Sequence, residues 1–459
     1  MIVFPDFAGQ KFAVLGFGKS GQATARALRV SQADVTVWDE EKDAQKKIKQ
    51  EGYTLRDLMK GDISGLQAIV VSPGVQIFHP KPHPIVARAK QAGVALIGEM
   101  DLLFHACPNA TYIGVTGTNG KSTTAALIGH VLRESKRRVQ TGGGASQPML
   151  ACDPLGVDGL YVLEMSAFQL DLMQENKIGI AVVLNVAPDR SDQASDMVGY
   201  VASKRKIVNR NGPQRLIIGT DETESLFLKN ESQKLSKLVI EEISLTHEVT
   251  KGYVVKDGVL FGVSEDQKQP LLNLGDLEHL SGLHNAQNVA AAFAACRDVG
   301  VQDDQIAQSL KSFPGLPHRQ EFVAEFDGIR FINDSKATNA ASAAKALASF
   351  DNIYWIVGGM AKAGGLTGLE SYMPRVRHAF LIGDASEAFA KWLNGKADYS
   401  ACATMEKAVE SAVAAARKCK KGKPVVLLSP ACASFDQYAG FEERGEKFVS
   451  LIAGYKEMG

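Results

Sequence analysis

The sequence predicts an α/β protein of three domains built on largely parallel sheets. Three observations lead there. Short apolar runs alternate with stretches of helical spacing almost from end to end, as in FAVLG (12–16), then QATARALRV, then VTVW (35–38). Strands that alternate with helices in this way pack as parallel sheets covered on both faces. Glycine-containing junctions recur directly after the apolar runs, where helices begin. Finally, 459 residues leave room for three domains at roughly 150 residues each.

Composition narrows the functional classes. Lys plus Arg and Asp plus Glu both total 51, against 45% apolar residues. The chain therefore has material for packed cores but no bulk charge for holding nucleic acid or an anionic membrane. The N-terminal MIVFPDFAGQ lacks the basic segment and apolar core of a signal peptide. The longest strongly apolar run, IGIAVVL (178–184), falls well short of the roughly 20 residues that span a bilayer. Six cysteines (107, 152, 296, 402, 419, 432) include no CxxC pair, which fits reduced, buried thiols and argues against a disulfide or zinc framework. The expectation is a cytoplasmic protein with neither nucleic acid nor membrane insertion.

The elements follow in order. The first block holds strands at 12–16, 35–38, 68–71 (AIVV) and 94–98 (VALIG). The second starts near Gly98 with YIGV (112–115) and continues with LYVLE (160–164), IAVVLN (180–185) and RLIIG (215–219). Between 237 and 275 the pattern changes to short runs such as GYVVKDGVLFGV. Its Asp-Gly pair between apolar alternations signals a hairpin, so a small antiparallel excursion is expected there. FPGLPHRQ (313–320) concentrates proline and glycine and reads as the second boundary. Strands return at IRFI (329–332), IYWIV (353–357), AFLIG (379–383) and PVVLL (424–428). The resulting division is 1–97, 98–315 and 316–459.

Three sets of loops carry chemistry. In GFGKSG, Gly16, Gly18 and Gly21 form GxGxxG between a strand and a helix, with Asp39 at the end of the next strand. This is a Rossmann-like fingerprint. The glycines permit a tight turn and close backbone approach to a pyrophosphate, and the acid can accept a ribose hydroxyl. A tight βα turn without ligand explains the glycines equally well. SPG (72–74) adds a second small-residue loop to the same crevice. Alone, this block would suggest an NAD-dependent dehydrogenase.

The second set centres on TGTNGKST (116–123), which resembles a phosphate loop with the wrong spacing. GxxxxGK[ST] would require glycine at 115, where Val115 stands. Strand, loop and helix nevertheless follow one another as in P-loop ATPases, and this context outweighs the alternative of a plain turn with a solvated lysine. Backbone N–H groups can cradle phosphates, Lys121 can reach their oxygens and Ser122 can hold Mg²⁺. Glu164 at one strand end, with Asn185 and Asp189 after another, are the candidate metal ligands.

The third set is NDSKATN (333–339), GGMAK (358–362) and SPACASFDQYAGFEERG (429–445), each after a strand. Asp334, Lys336 and Thr338 alternate along an extended loop and can face one ligand. N-capping of the next helix by Asp334 or Ser335 is the plainer reading of one of these residues, though not of the cluster.

Taken in order, TGTNGKST, LEMSAFQL, SGLHNAQN, PHRQEF, DSKATN and SPACASFDQYAGFEERG resemble the Mur ligases, and within them the members that add D-glutamate. The likeness covers nearly the whole chain, including the GFGKSG domain. It implies a Rossmann-like first domain for a UDP-sugar, a central ATP-binding domain and a Rossmann-like third domain for the amino acid. The implied reaction is ATP-dependent: a carboxylate of UDP-N-acetylmuramoyl-L-alanine becomes an acyl phosphate, which the D-glutamate amine attacks. By resemblance, Thr118, Asn119, Gly120, Lys121, Ser122 and Thr123 handle ATP, with Asn288, Arg319 and Asp334 as further nucleotide contacts. Ser122 and Glu164 match Mg²⁺ ligands, and Lys204 matches a lysine that carries a carbamate beside a second Mg²⁺. Lys19, Ser20, Asp39, Ser72 and Gly74 match contacts to the uridine nucleotide. Lys336, Thr338, Lys362, Ser434 and Phe441 match the D-glutamate region. The resemblance further implies peptidoglycan precursor synthesis, a monomer, and domains that close on their ligands. A folylpolyglutamate-type ligase shares TGTNGKST but leaves the first domain unexplained.

Two positions depart from the family pattern. NVAPDR places Arg190 where a metal-binding histidine usually stands, and GGGAS (142–146) places Gly144 where asparagine is usual. Arginine stays cationic and cannot ligate Mg²⁺. Three readings are open: Arg190 replaces the charge of a metal and clamps phosphoryl or substrate oxygens, the substrate is a variant, or ligase activity is weakened.

Overall fold

The computed structural model describes residues 1–75, 77, 82–144, 147–187, 197–208, 214–264, 267–277, 279–280, 283–362, 364–419 and 422–457. Arg190 and Asp189 lie outside the described residues. The chain forms two compact units, one of Met1–Glu278 with Leu283–Phe313 and one of His279–Gly282 with Pro314–Gly459.

The first unit carries two sheets. The smaller comprises β1 (Lys11–Leu15), β2 (Asp34–Trp38), β3 (Thr54–Leu55), β4 (Ala68–Val71) and β5 (Ala95–Ile97), in the order β3-β2-β1-β4-β5. All its pairings are parallel. The order reverses beside β1, and the loops leaving β1 and β4 therefore diverge around a crevice where α/β sheets bind ligands.

The larger sheet contains β6 (Thr111–Thr116), β7 (Val139–Gly142), β8 (Leu160–Glu164), β9 (Ile180–Val183), β10 (Gln214–Gly219), β11 (Leu238–Ser244), β12 (Lys251–Lys256), β13 (Val259–Ser264) and β14 (Gln267–Asn273). Its order is β14-β13-β12-β11-β10-β9-β6-β8-β7. β9 is buried along its whole length, as expected for apolar runs covered by helices on both faces. The antiparallel excursion is smaller than the sequence suggested. β11 pairs parallel with both β10 and β12, and the antiparallel part begins at the Asp257-Gly258 hairpin. Both hairpin residues have positive φ, 50° and 76°, the conformation that suits the twist of a two-residue hairpin.

These two sheets share a core. Helix Glu99–Ala106 bridges them, and Phe104 meets Tyr112 edge-on while Tyr112 stacks on Tyr161 at 5.3 Å. The Tyr112 hydroxyl donates to the Cys107 carbonyl at 2.7 Å, so the buried phenol is satisfied.

The second unit holds β15 (Glu321–Phe326), β16 (Ile329–Asn333), β17 (Ile353–Gly358), β18 (Val376–Ile382), β19 (Tyr399–Ala403) and β20 (Val425–Leu428), in the order β15-β16-β20-β17-β18-β19. β15 runs antiparallel to β16 and the remaining pairings are parallel. One core lies on each face of this sheet. β3, β7, β15 and β19 were not expected from the sequence. Each includes exposed or half-buried positions and so lacks the continuous apolar run that marks a buried strand.

Candidate active site

The GFGKSG loop leaves β1 and turns into helix Lys19–Val30. Gly16 has φ of +89°, and a Cβ on Gly21 would lie 1.9 Å from the Gly16 carbonyl oxygen, so both positions demand glycine. Two side chains then hold the turn. Asp39 accepts from the Phe17 N–H at 2.6 Å and the Glu41 N–H at 2.9 Å, and the Ser72 hydroxyl donates to the Gly16 carbonyl at 2.8 Å. Gly18, Lys19, Ser20, Asp39, Ser72 and Gly74 line a cavity of about 790 Å³, whose far wall includes Gly144, Glu164 and Gln169. The structure thus brings the first-sheet residues together with the carboxylate beside the second loop.

That second loop leaves β6 and enters helix Lys121–Glu134 at Gly120, which has φ of +88°. A Cβ on Gly120 would lie 2.2 Å from Asn288 Oδ1. Amide side chains brace the loop. Asn185 accepts from the Asn119 N–H at 2.8 Å and donates to Gln287 at 2.8 Å, while Thr118 donates to the Ala187 carbonyl at 2.9 Å. The expectation that Asn185 ligates metal is therefore corrected, because its amide is committed to holding the loop. Asn288 is buried beneath the glycine turn, accepting from Thr124 at 3.3 Å and donating to Asn285 at 3.1 Å. Thr123 is buried in the helix.

The reactive side chains lie above this brace. Lys121 Nζ donates to the Gly117 and Thr118 carbonyls at 2.8 and 3.1 Å, and Ser122 donates to Glu164 Oε2 at 2.8 Å. A hydroxyl and a carboxylate at this separation are the hard oxygen donors that Mg²⁺ accepts, with water and phosphate completing its shell. Among the described residues no cluster of three or more His, Cys, Asp or Glu forms a protein-only metal cage. The site fits a metal shared with phosphate. The loop at the helix N-terminus fits the phosphates themselves. Lys204, on helix Met197–Arg205, is buried with Nζ 3.1 Å from the Gly117 carbonyl and 4.4 Å from the Tyr200 ring centre. Gly144 lies close enough to Glu164 that a Cβ there would stand 2.4 Å from Oε2.

In the second unit, the loop after β16 is knitted from below. Asp334 is buried and accepts from the Ser429 hydroxyl at 2.7 Å and the Gln320 N–H at 3.2 Å. Burial pushes its carboxyl up to about 7. Neither Asp334 nor Ser335 caps the following helix; Asn339 does, accepting from the Ser342 N–H at 2.8 Å. This corrects the capping expectation and leaves the Asp334 carboxylate to the loop itself. Lys336 Nζ lies 5.5 Å from the Phe441 ring centre, and Thr338 is half-buried on the same loop. Ser434 is buried, whereas Arg319 and Lys362 are exposed.

Two residues escaped the sequence reading. Arg444 is 1% exposed, and its guanidinium donates to the Ser335 hydroxyl and carbonyl and to the Cys432 and Ala433 carbonyls at 2.8–3.3 Å. It ties the DSKATN loop to the SPACAS loop. Its spacing from Phe441 and Phe448 puts a charge on an apolar helical stripe, a signal that was available. Glu99 is also buried and reaches both Ser20 and the Met149 N–H. Its position after Gly98 reads only as an acid at a helix start, which carries no sign of its burial.

Comparison with known proteins identifies the family. Family profiles for a MurD-like N-terminal domain, a Mur ligase middle domain and a Mur ligase glutamate ligase domain match residues 10–98, 115–296 and 318–432. A UDP-N-acetylmuramoylalanine–D-glutamate ligase of Paramagnetospirillum magneticum is 42% identical over 460 residues, covering 100% of both chains. Its counterpart from Agrobacterium fabrum is 42% identical over 463 residues, covering 100% of this chain and 98% of the other. Among solved structures, the UDP-N-acetylmuramate-alanine ligase of Thermotoga maritima superposes with a TM-score of 0.58 at 14% identity, covering 98% of this chain and 100% of that one. A pseudomurein peptide ligase from Methanothermus fervidus gives 0.54 at 17%, covering 97% and 100%. At these identities the two structures speak to the fold.

Proposed function

The chain belongs to the Mur ligase family, and on that premise we propose that it uses ATP to join D-glutamate to UDP-N-acetylmuramoyl-L-alanine in peptidoglycan precursor synthesis. One observation carries the reading at the level of residues. The GFGKSG loop and Glu164, the carboxylate hydrogen-bonded to the phosphate-loop serine, line the same cavity. A nucleotide sugar held on the first wall can present its alanyl carboxylate to the second.

The roles follow from chemistry. Carboxylate oxygen is a poor leaving group, so the γ-phosphoryl of ATP is transferred to it, and the D-glutamate amine then displaces phosphate. Charge collects on phosphoryl oxygens, and positioned cations and N–H donors supply the stabilisation. Lys121 leaves its loop carbonyls to reach the β- and γ-phosphates, and Thr118–Gly120 with the helix N-terminus bind them. Ser122 and Glu164 would hold Mg²⁺, which when bound neutralises phosphate charge. Lys19, Ser20, Ser72 and Gly74 take the uridine nucleotide. Asp39 holds its loop and remains within reach of a ribose hydroxyl. Lys336, Thr338, Lys362, Ser434 and Phe441 bind D-glutamate, with Arg319, Asp334 and Asn288 serving ATP. Domains 1–97, 98–315 and 316–459 divide these tasks in a cytoplasmic monomer. Among the described residues no helix is long and apolar enough to cross a membrane.

Lys204 has two roles in this proposal. As an ammonium it donates to the Gly117 carbonyl and adds positive charge beneath the phosphates. As a carbamate it supplies an anionic oxygen for a second metal. Intact-protein mass spectrometry with bicarbonate dependence of the rate separates them.

The reaction is tested by phosphate release from ATP with UDP-N-acetylmuramoyl-L-alanine, with and without D-glutamate. D-glutamate-dependent release is expected. Binding of the nucleotide sugar without turnover would reject the ligase reading and point to Arg190 as a loss, which activity restored by Arg190→His would establish.

A further inference from the structure

Glu99 opens the helix that joins the two sheets of the first unit, and it sits behind the cavity wall at 4% exposure. Its two oxygens are differently engaged. Oε1 accepts from the Ser20 hydroxyl at 3.2 Å, and Oε2 accepts from the Met149 N–H at 3.1 Å. The Leu150 N–H and the Gln169 amide also face the carboxylate. Ser20 and Gln169 both line the cavity.

Hydrogen counting then constrains the site. An ionised carboxylate can only accept, and serine has one hydroxyl hydrogen. While Glu99 is charged, that hydrogen is spent on Oε1, and Ser20 offers the cavity lone pairs alone, which repel phosphate oxygens. We propose that binding of the nucleotide sugar obliges Glu99 to take up a proton, so that Ser20 can turn its hydrogen to the diphosphate. The proton comes from solvent onto Oε1. The new Glu99 O–H donates to Ser20 Oγ, Ser20 O–H donates to a phosphate oxygen, and Oε2 keeps its bond from Met149. This inference rests on reading the cavity as the nucleotide-sugar site. It makes Glu99 a positioning residue that acts through Ser20.

The surroundings make the uptake accessible. Burial pushes Glu99 up to about 7, against the four neutral donors named above. Cys152, on the adjacent turn, is pushed up to about 11 by burial and stays a neutral thiol. Asp101, on the same helix, accepts from the Gly98 and Gln174 N–H groups. Lys19, Asp39, Glu40, Glu41, His83 and Glu164 share the cavity, and His83 serves as the control for uptake elsewhere in it. The diphosphate of a nucleotide sugar is a diester with no ionisation in this range, so an uptake belongs to the protein.

The test is isothermal titration of UDP-N-acetylmuramoyl-L-alanine into the full chain at pH 7.5, in buffers of differing ionisation enthalpy. We expect uptake on the order of half a proton or more, and affinity falling up to about tenfold per pH unit above 7. Glu99→Gln should bind without uptake, because its amide nitrogen can donate to Ser20 while its oxygen accepts from Met149. Ser20→Ala, which leaves Glu99 in place, should also lose the uptake and bind more weakly. His83→Gln should retain it. Binding by the wild type without uptake, uptake that survives in Glu99→Gln, or its loss in His83→Gln would overturn the proposal. Absence of binding to the wild type would instead overturn the nucleotide-sugar reading beneath it.

Discussion

The two glycine loops of the first unit begin alike and end differently. Each leaves a parallel strand, passes through positive-φ glycine and enters a helix, at Lys19–Val30 in one case and Lys121–Glu134 in the other. In GFGKSG the nearby carboxylate, Asp39, is occupied by two backbone N–H groups. In TGTNGKST the same mechanical work falls to uncharged amides, chiefly Asn185 and Asn288. Glu164 then faces Ser122. A loop braced by its acid can hold a nucleotide passively; a loop braced by amides keeps its acid available for a cation and for chemistry.

The sharpest way to break this contrast is Glu164→Gln. Losing the charge at Ser122 should reduce the rate of phosphate release by about 10²–10³, the scale of removing one group that stabilises transition-state charge. Nucleotide-sugar affinity, measured by titration, should stay within severalfold of wild type. Equal losses in both would mean that the two loops are not divided as described.

Gly144→Asn asks how closely Glu164 is packed. The new Cβ would stand 2.4 Å from Oε2, and the carboxylate must swing off Ser122. An increase of about tenfold in the Mg²⁺ concentration for half-maximal activity is expected, as for a displaced partner of a metal ligand. An unchanged requirement would show that Glu164 repositions freely.

Asp39→Asn probes the passive loop. An amide can accept but replaces one carboxylate oxygen with a donor, so one of the two N–H bonds is lost. That costs on the order of 1–2 kcal/mol, or about tenfold in KM for the nucleotide sugar, with kcat within about twofold. A fall in kcat alone would place Asp39 in the chemistry.

Asp334 supplies the most specific effect, because it is a braced acid in a far drier place. Its folded carboxyl is raised to about 7, whereas in the unfolded chain it is near the ordinary aspartate range of about 3.9. Between those values the folded state binds more protons than the unfolded state, so stability falls as pH rises through the window. Asp334→Asn should flatten that slope between about pH 4 and 7 in denaturant melts, without steepening it anywhere.

Much of this was readable in the sequence, and the reasons are local. β4 and β8 fall on the expected residues because fully apolar runs are buried on both faces whatever surrounds them. The glycines of both loops were legible because a backbone conformation demands them. Lys121, Ser122 and Glu164 stood out as a phosphate-loop lysine and serine and a strand-end acid. β7 was missed, since VQTG is half-buried and short, and β11 was placed in the antiparallel excursion because pairing direction is set by the neighbouring strands and not by its own run.

What the chain alone determined is the set of parts: parallel α/β sheets, two phosphate-type turns, and an ordered series of loop motifs. Those follow from periodicity and from residues with special backbone or phosphate chemistry, which act over a few positions. Tertiary structure decided which polar groups are spent and which are left free. Asn185 became a brace rather than a ligand, Asn339 took the cap from Asp334, and Glu99 and Arg444 went into the interior. Each depends on partners far along the chain, 66 residues from Asn119 to Asn185 and 79 from Ser20 to Glu99. A hydrogen bond has no sequence period, so its partner becomes visible only when the sheets bring it within 3 Å or so.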